Sequence, residues 1–182
     1  MTGTVRGLLQ LARAETIVKR PEDRLDLSAL VAECVARTRP DAEAEGLTVY
    51  AVVEPGVVIT AETAPLAEIV DNLLANAVKY KPAGGRVDVK LSHSGGTAVL
   101  RGTDSGTGFG AGEAEQLFDR FYRSDVPSVQ AESGSGLGLA IVKAIVEAYG
   151  GEVSGRSAGP GEGAMFEVRL PCMTCLGPRS GT

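Results

Sequence analysis

Residues 64–80 read A-P-L-A-E-I-V-D-N-L-L-A-N-A-V-K-Y, and the predicted fold is centred on this segment. Its large apolar residues recur at steps of three and four, the period of an α-helix that buries one face. Pro65 suits the first turn of such a helix, because the N–H that proline lacks would have no helical partner there. The pattern therefore predicts a buried helix. Its predicted core face consists of Leu66, Ile69, Val70, Leu73 and Ala77.

A second, polar stripe runs beside the apolar one and contains Glu68, Asn72, Asn76 and Lys79. Residues three or four apart stack on one helical face, so these side chains form a ladder next to the core. Asparagine is a poor helix former because its side chain competes for backbone hydrogen bonds, so two of them in mid-helix need an explanation. Amide oxygens suit a hard cation such as Mg²⁺, and a lysine one turn later suits a phosphate. The alternative is a solvated helix face with satisfied amides.

Length and charge limit the class of protein. With 182 residues the chain has room for one ordinary domain and a short appendage. The net charge of −5 argues against a protein that binds nucleic acid, because that role needs a concentrated basic surface. No apolar run approaches the roughly 20 residues of a membrane-spanning helix, and the first residues contain too little uninterrupted apolar sequence for a signal peptide. We therefore expect a cytoplasmic chain that inserts no segment into a membrane.

The cysteines and the single histidine do not indicate a metal or redox site. Cys34 sits among apolar residues on a predicted helical face, where a small core residue is expected. Cys172 and Cys175 form a C-x-x-C in the tail, but without a second pair or a nearby histidine the zinc and redox interpretations are weak. His93 follows a predicted strand in S-H-S-G-G and is expected to be an exposed hairpin residue.

Two further helices are predicted near the start of the chain. The first runs to about residue 19 and, being short, needs another helix to pack on. Polar side chains at residues 26–28 cap the second, which Pro40 should kink or end. Residues 20–24 between them form the best candidate for a domain boundary. The predicted buried face of the first helix consists of Val5, Leu8, Leu9 and Ala12.

The strands predict the fold class. Apolar and polar side chains alternate cleanly in residues 86–92 and again in 165–170, which indicates strands with one solvated face. The glycines that follow residue 94 turn the chain back as a hairpin. A sheet of this kind is mostly antiparallel and covered by helices on one side only. We therefore predict the α/β class: a two-layer α/β sandwich with a mixed, mostly antiparallel sheet, preceded by a partial N-terminal helix. The predicted strands cover residues 47–53, 57–60, 86–92, 97–104 and 165–170.

Asp104 begins the first of two glycine-rich turns, D-S-G-T-G-F over residues 104–109. Period-two counting places its carboxylate at the end of the inward face of a strand, where it is costly unless it meets a donor. Gly106 and Gly108 would give a ligand close access to the backbone. Taken alone, the motif is explained as well by a common glycine turn with an Asx hydrogen bond.

The second turn, G-S-G-L-G over residues 134–138, opens into a predicted helix. A helix N terminus presents unpaired N–H groups and partial positive charge, so phosphates bind there readily. The spacing fits neither the G-x-x-x-x-G-K-[ST] loop nor the dinucleotide fingerprint. Between the two turns, L-F-D-R-F-Y-R at residues 117–123 is either an amphipathic turn or a mobile segment whose arginines reach a phosphate. We expect residues 124–133, which follow this segment, to form a lid that becomes ordered when nucleotide binds.

The order of these motifs carries more information than any one of them. N-x-x-x-N-x-x-K-Y, D-x-G-x-G, F-x-x-F and G-x-G-x-G-L resemble the N, first glycine, F and second glycine boxes of sensor histidine kinases, whose ATP-binding fold is shared with gyrase-type ATPases. The resemblance covers most of residues 25–171. It implies a catalytic domain that uses ATP and Mg²⁺, with a histidine-bearing dimerisation domain and a response regulator as partners. It also implies that residues 1–24 end a dimerisation-bundle helix and its linker, and that 172–182 form a disordered tail.

The resemblance assigns four residues to the catalytic step. Asn72 and Asn76 would hold the Mg²⁺ that bridges the phosphates. Lys79 would contact a phosphate. Arg123 is the candidate for balancing the charge of the γ-phosphate. Asn76 and Lys79 would therefore contribute to nucleotide binding as well.

The remaining roles implied by the resemblance concern the nucleotide. Tyr80 would pack beside it, and Asp104 would accept a hydrogen bond from the adenine amino group. Gly106 and Gly108 would let adenine approach the backbone. The second glycine turn would hinge the lid and cradle the triphosphate with its N–H groups. That turn contributes Gly134, Gly136, Leu137 and Gly138.

The chain departs from this family in one respect, because the H-[ED]-L-[RK]-T-P box of the phosphoacceptor helix is absent and His93 lacks its flanking residues. We therefore expect the chain to act on a histidine supplied in trans and not to label itself, either as a piece of a longer sensor or as one half of a split kinase. Two alternatives stay open. A gyrase-like ATPase is disfavoured because those relatives place a glutamate where this chain has Asn72. A non-enzymatic nucleotide sensor or anti-sigma-type module is the other.

Overall fold

The computed structural model describes residues 2–17, 24–80, 84–132 and 134–173. Within these ranges the chain forms five α-helices, seven β-strands and a short 3₁₀ helix at Gln116–Phe118. The helices are α1 (Thr2–Glu15), α2 (Leu27–Ala44), α3 (Thr63–Lys79), α4 (Pro127–Ala131) and α5 (Gly138–Ala148). The strands are β1 (Arg24–Asp26), β2 (Thr48–Val53), β3 (Val58–Thr60), β4 (Arg86–Ser94), β5 (Thr97–Asp104), β6 (Glu152–Arg156) and β7 (Ala164–Pro171).

Helix α3 is the predicted central helix. All five residues of its predicted core face are buried, and Leu74 is buried beside them. Pro65 lies in the first turn, as expected for a residue without an N–H. The helix ends where the N–H of Tyr80 donates to the carbonyl of Asn76 at 3.0 Å. The ladder of polar side chains therefore runs along the border of the core and ends beside Tyr80.

Five strands form the main sheet in the order β2-β4-β5-β7-β6. β2 and β4 are parallel, and the other three neighbouring pairs are antiparallel. The predicted hairpin of β4 and β5 is confirmed. It turns through Gly95 and Gly96, whose φ angles of 56° and 77° suit glycine. The prediction of a mixed, mostly antiparallel sheet is therefore confirmed.

Helices α2, α3 and α5 pack on one face of this sheet and enclose a single hydrophobic core with it. The inward residues of β4 are buried, whereas two outward ones form an ion pair: Nε of Arg86 donates to Asp88 at 2.6 Å. On the same outer face Nε of Arg101 in β5 donates to Glu167 of β7 at 3.0 Å. One apolar face and one charged face confirm the predicted two-layer α/β sandwich.

Helix α2 begins at the predicted cap, where Oδ1 of Asp26 accepts from the N–H of Ala29 at 2.9 Å, and it continues through Pro40 to Ala44. The two predicted strands on either side of residues 54–56 belong to different sheets. β2 joins the main sheet, and β3 pairs antiparallel with β1, a strand that the sequence did not predict.

The N-terminal helix α1 packs on α5, but through a different face from the one predicted. The predicted face is exposed, with 60% of Val5 and 58% of Leu9 accessible. The buried face instead consists of Gly7, Leu11 and Ala14. Small residues allow a close approach between helices, so Gly7 and Ala14 permit a contact that a search for large apolar residues does not find.

His93 is half-buried, and the prediction of an exposed hairpin residue is wrong. The imidazole Nδ1 of His93 lies 2.9 Å from Oε1 of Glu54, and the backbone N–H of His93 donates to the same carboxylate at 2.9 Å. Glu54 follows β2, the parallel neighbour of β4, so this partner comes from a pairing that the local sequence does not indicate. The histidine therefore links the ends of two adjacent strands.

The C-terminal part of the described chain attaches to the domain. The N–H of Cys172 donates to Gly96 at 2.8 Å, and the N–H of Met173 donates to Val58 at 3.0 Å. Cys175 and the rest of the predicted tail lie outside the described residues, as do residues 20–23 of the predicted boundary segment. Cys34 is buried, as predicted. No helix among the described residues is long and apolar enough to cross a membrane.

Candidate functional site

A cavity of about 280 Å³ lies between α3, the end of β5 and the start of α5. A volume of this size is near the lower end for small-molecule pockets. Every predicted site residue except Gly106 lines it. The lining residues that the sequence predicted are Asn72, Asn76, Lys79, Tyr80, Asp104, Gly108, Arg123, Gly134, Gly136, Leu137 and Gly138.

The two asparagines of the polar ladder face the start of α5. Nδ2 of Asn72 donates to the carbonyl of Glu68 at 2.9 Å, which orients the amide and leaves its oxygen available. A Cβ placed on Gly138 would lie 3.0 Å from Oδ1 of Asn72 and 3.9 Å from Oδ1 of Asn76. Two amide oxygens therefore border one space that stays open because residue 138 has no side chain.

Lys79 holds a positive charge at the mouth of the second glycine turn. Its Nζ donates to the hydroxyl of Tyr80 at 2.9 Å and lies 4.6 Å from the centre of that ring, within cation–π distance. A side chain on Gly134 would collide with the ammonium group. The lysine is thus fixed between the tyrosine and the glycine turn, with its charge close to the exposed backbone of that turn.

Asp104 ends β5 with its carboxylate directed into the fold. Oδ1 accepts from the N–H of Gly106 at 2.8 Å and from the N–H of Ala164 at 3.3 Å. Burial raises the pKa of Asp104, and these two hydrogen bonds offset part of that rise. The predicted Asx hydrogen bond and the inward carboxylate are therefore both present, and the carboxylate lines the cavity.

The glycines of the first turn are required by the packing of the protein on itself. A Cβ on Gly106 would lie 2.5 Å from the carbonyl oxygen of Tyr80 and 2.6 Å from Oδ1 of Asp104. Gly108 has a φ of 58°, and a Cβ there would lie 2.9 Å from the carbonyl oxygen of Gly163. These contacts account for both glycines without a ligand, so the predicted approach of adenine to this backbone stays a prediction.

The second glycine turn is joined to the segment 117–123. The N–H of Phe121 donates to the carbonyl of Gly136 at 3.0 Å, and a Cβ on Gly136 would lie 2.8 Å from the carbonyl oxygen of Tyr122. Phe121 itself has a φ of 64°, which is costly for a residue with a side chain. Leu137 is buried, and a Cβ on Gly7 would lie 2.8 Å from its Cδ1. The leucine therefore anchors the turn against α1.

The guanidinium of Arg123 is directed towards the predicted lid. Its Nη2 donates to the carbonyls of Val129 and Glu132, the latter at 2.5 Å. Nε of Arg123 is buried and has no hydrogen-bond partner among the described residues. The predicted lid segment contains the short helix α4, and Arg123 ties the end of that helix to the wall of the cavity.

Several lining residues were not found by sequence reasoning. Gly7 and Gln10 reach the cavity from α1, and no local pattern indicates that this helix covers it. Phe109, Tyr122 and Ser124 also line the cavity. Phe109 lies in the first glycine-rich turn and Tyr122 in the segment 117–123, but neither motif indicated that these side chains line the site.

The sequence pattern of the family described as histidine kinase-, DNA gyrase B- and HSP90-like ATPase matches residues 61–174, which contain all four motifs. Among curated proteins, the sensor-like histidine kinase SenX3 of Mycolicibacterium smegmatis is 30% identical over 165 residues. That match covers 90% of this chain and 43% of SenX3, so the chain spans less than half the length of this relative.

Two solved structures share the fold. The mycobacterial sensor histidine kinase MprB is 32% identical with a TM-score of 0.71, and the match covers 82% of this chain and 98% of that one. The structure of full-length ShkA in complex with AMPPNP is 27% identical with a TM-score of 0.78, covering 96% of this chain and 36% of that one.

Proposed function

The chain belongs to the histidine kinase-, DNA gyrase B- and HSP90-like ATPase family and forms the ATP-binding catalytic domain of a sensor histidine kinase, and we propose that it transfers the γ-phosphate of ATP to a histidine supplied by a bundle outside residues 1–182. One observation carries the proposal. Two amide oxygens, an ammonium group, a glycine turn at a helix start and a half-buried carboxylate all border one cavity.

We assign one end of the cavity to the phosphates and the other end to the base. Lys79 and the first turn of α5 supply positive charge and backbone N–H groups, which suit phosphate oxygens. Asp104 presents a half-buried carboxylate, which suits the amino group of adenine. The ShkA structure contains AMPPNP, an analogue of ATP, and its chain shares this fold.

The donor set fits Mg²⁺. Oxygen ligands suit this ion, and it is usually bound through a few protein oxygens together with substrate phosphates and water. Oδ1 of Asn72 and Oδ1 of Asn76 border the open space at Gly138 and provide two such oxygens. When bound there, Mg²⁺ would neutralise charge on the phosphates during transfer. We therefore propose Asn72 and Asn76 as its protein ligands.

The chain's own residues then position the substrate and balance its charge. Phosphoryl transfer depends mainly on such positioning and electrostatic stabilisation, with little covalent chemistry for the protein to supply. We assign binding of the phosphates to Lys79 and orientation of the base to Asp104. Arg123 has a buried Nε without a partner among the described residues, and a phosphate oxygen would satisfy it.

The acceptor and the partners follow from the same proposal. Helix α1 would belong to a histidine-bearing dimerisation bundle. Its exposed apolar side chains, which include Val5, Leu8 and Leu9, would pack against the other helices of that bundle. Residues 1–24 would then end that bundle and its linker, 25–171 would form the catalytic domain, and 172–182 would be a tail. A response regulator would receive the phosphate from the histidine. We place this activity in the cytoplasm, the compartment expected from the sequence.

Transfer of labelled phosphate tests the proposal. The chain is incubated with γ-labelled ATP and Mg²⁺, with and without a separately purified histidine-bearing helical bundle. We expect acid-labile, base-stable phosphate on the bundle and none on the chain. Asn76→Ala serves as the impaired variant, and Glu115→Gln, an exposed position outside the cavity, serves as the matched control.

Each other outcome identifies an alternative. ATP that binds but stays intact would indicate a nucleotide-binding module. Release of free phosphate without labelled protein would indicate a gyrase-like ATPase, in spite of the amide at position 72. Phosphate on His93 would contradict the expectation that the acceptor is supplied in trans.

A further inference from the structure

Glu113 receives several hydrogen bonds from parts of the chain that are up to 12 residues away. Its Oε2 accepts from the N–H of Gly110 at 2.5 Å. Its Oε1 accepts from the hydroxyl of Tyr122 at 2.8 Å and from the N–H of Asp125 at 3.3 Å. The carboxylate therefore joins the end of the first glycine turn to the start of the lid, and neither the motifs nor the resemblance assigned it a role.

The two segments that Glu113 joins both contribute to the cavity wall. On one side Gly110 follows Phe109, which lines the cavity, and on the other side Tyr122 and Ser124 line it. The backbone of Tyr122 also packs against Gly136 of the second glycine turn. Glu113 itself does not line the cavity. It can therefore act on a bound nucleotide only through the residues that it holds.

The hydrogen-bond donors around Glu113 stabilise its ionised form. Burial opposes ionisation, but the hydrogen bonds from Ser124, Tyr122 and the two backbone N–H groups outweigh it and lower the pKa of Glu113. Burial and the neighbouring carboxylate of Glu113 raise the pKa of Tyr122 to about 12, so its hydroxyl remains a donor. A glutamine would keep one acceptor oxygen but present an N–H₂ group to donors, and it would leave at least one of them unpaired.

We propose that Glu113 is a positioning residue, which holds the Tyr122–Asp125 segment in the place where the phosphate end of a nucleotide meets the cavity wall. The inference rests on the proposed function, because it says which residue holds one wall of the same site in position. It predicts a specific pattern of binding. Loss of the carboxylate should weaken ligands that reach the phosphate end and should spare ligands that occupy only the adenine end.

The test compares ATP with adenosine by equilibrium titration of the full chain in Mg²⁺. Because hydrogen bonds to a charged group are the strong ones, we expect Glu113→Gln to weaken ATP binding about tenfold. Adenosine binding should change less than about threefold. Glu115→Gln, an exposed glutamate two residues further along, is the matched control and should change neither. Hydrogen exchange in residues 124–132 should no longer slow on ATP addition in Glu113→Gln.

Tyr122→Phe removes one donor without adding a mismatched group, and it keeps the test decisive if Glu113→Gln fails to fold. This variant should also weaken ATP more than adenosine. The loss of ATP binding free energy in the double variant should be smaller than the sum of the losses in the two single variants, because both substitutions act through one contact. Equal losses for ATP and adenosine, or ATP binding as tight as that of the parent chain, would overturn the inference. A parent chain that does not bind ATP would instead overturn the proposed function.

Discussion

Oδ1 of Asp104 accepts a hydrogen bond from the N–H of Gly106 at 2.8 Å, and a side chain on Gly106 would collide with that same oxygen. The second residue after the carboxylate therefore has to be a glycine for the carboxylate to keep its place. The same Cβ on Gly106 would also lie 2.5 Å from the carbonyl oxygen of Tyr80, so a side chain there would collide with two oxygens at once. The position of the predicted base-binding carboxylate is thus set by the packing of its own turn.

The first prediction follows from this contact. Gly106→Ala should displace the carboxylate of Asp104 and weaken ATP binding at least about tenfold, and the overpacking should lower the free energy of unfolding by about 1–3 kcal/mol. Gly102→Ala is the matched control, because a Cβ at that position of β5 meets no atom within 4 Å. Nucleotide titration and urea unfolding measure the two effects. If both variants bind ATP equally well, the turn does not set the position of the carboxylate.

The second prediction concerns pH and the nucleotide-free chain. Burial raises the pKa of Asp104 above the value of about 3.9 expected in the unfolded chain. The stability linked to its protonation is therefore fully present below the unfolded pKa and is lost as the pH rises through the folded pKa. Asparagine does not titrate, so Asp104→Asn should gain stability relative to the parent as the pH rises.

Urea unfolding of both chains without nucleotide, from about pH 4 to pH 8, measures this difference. At neutral pH, the same Asp104→Asn substitution should weaken both ATP and ADP, because a donor would face the adenine amino group, with a cost of roughly 1–3 kcal/mol for an unpaired buried group. A stability difference that stays constant over the whole pH range would contradict the linkage.

The third prediction separates the metal end of the cavity from the base end. Asn76→Ala should leave adenosine binding unchanged, because Asn76 faces Gly138 and not Asp104. It should remove most of the dependence of ATP binding on Mg²⁺. Metal stabilisation of a transferring phosphoryl group contributes several kcal/mol, so a loss of about 3 kcal/mol should slow transfer on the order of a hundredfold. Transfer at the parental rate would exclude Asn76 as a ligand of the metal.

The fourth prediction concerns the lid. Residues 124–132 contain one short helix and few large apolar side chains. Local unfolding of this segment should therefore cost little free energy without nucleotide. We expect their amide hydrogens to exchange more slowly when ATP is bound. Arg123→Ala should speed exchange in the nucleotide-free chain, because its guanidinium holds the carbonyls of Val129 and Glu132. Peptides from β5 and β7 serve as the internal control. Equal exchange with and without ATP would exclude a lid.

The fold was predicted most accurately where the pattern is local. The apolar stripe of α3 and the alternation in β4 and β5 each arise within one element, so their burial and the hairpin could be predicted. The parallel pairing of β2 with β4 and the small sheet of β1 and β3 could not. These pairings join distant segments, and β1, the strand that was not predicted, has only three residues, which is too short for a periodic signal.

The same limit applies to the site. Asn72, Asn76, Lys79 and Asp104 could be predicted because their spacing places each on a known face of a helix or strand. The position of α1 over the cavity could not be predicted, because the contact face of this helix consists of Gly7 and other small or widely spaced residues. The contacts of Glu113 were also missed, since a glutamate after a glycine turn resembles a solvated residue until its donors are placed around it.

Calorimetric titration of the full chain with ATP in the presence of Mg²⁺ measures whether this cavity binds the nucleotide. We expect saturable binding at one site, strengthened by Mg²⁺, weaker for GTP than for ATP, and weakened at least about tenfold in Asp104→Asn. Glu115→Gln should bind as the parent chain does. Absence of saturable ATP binding, or binding that Asp104→Asn leaves unchanged, would contradict the assignment of this cavity as the nucleotide site.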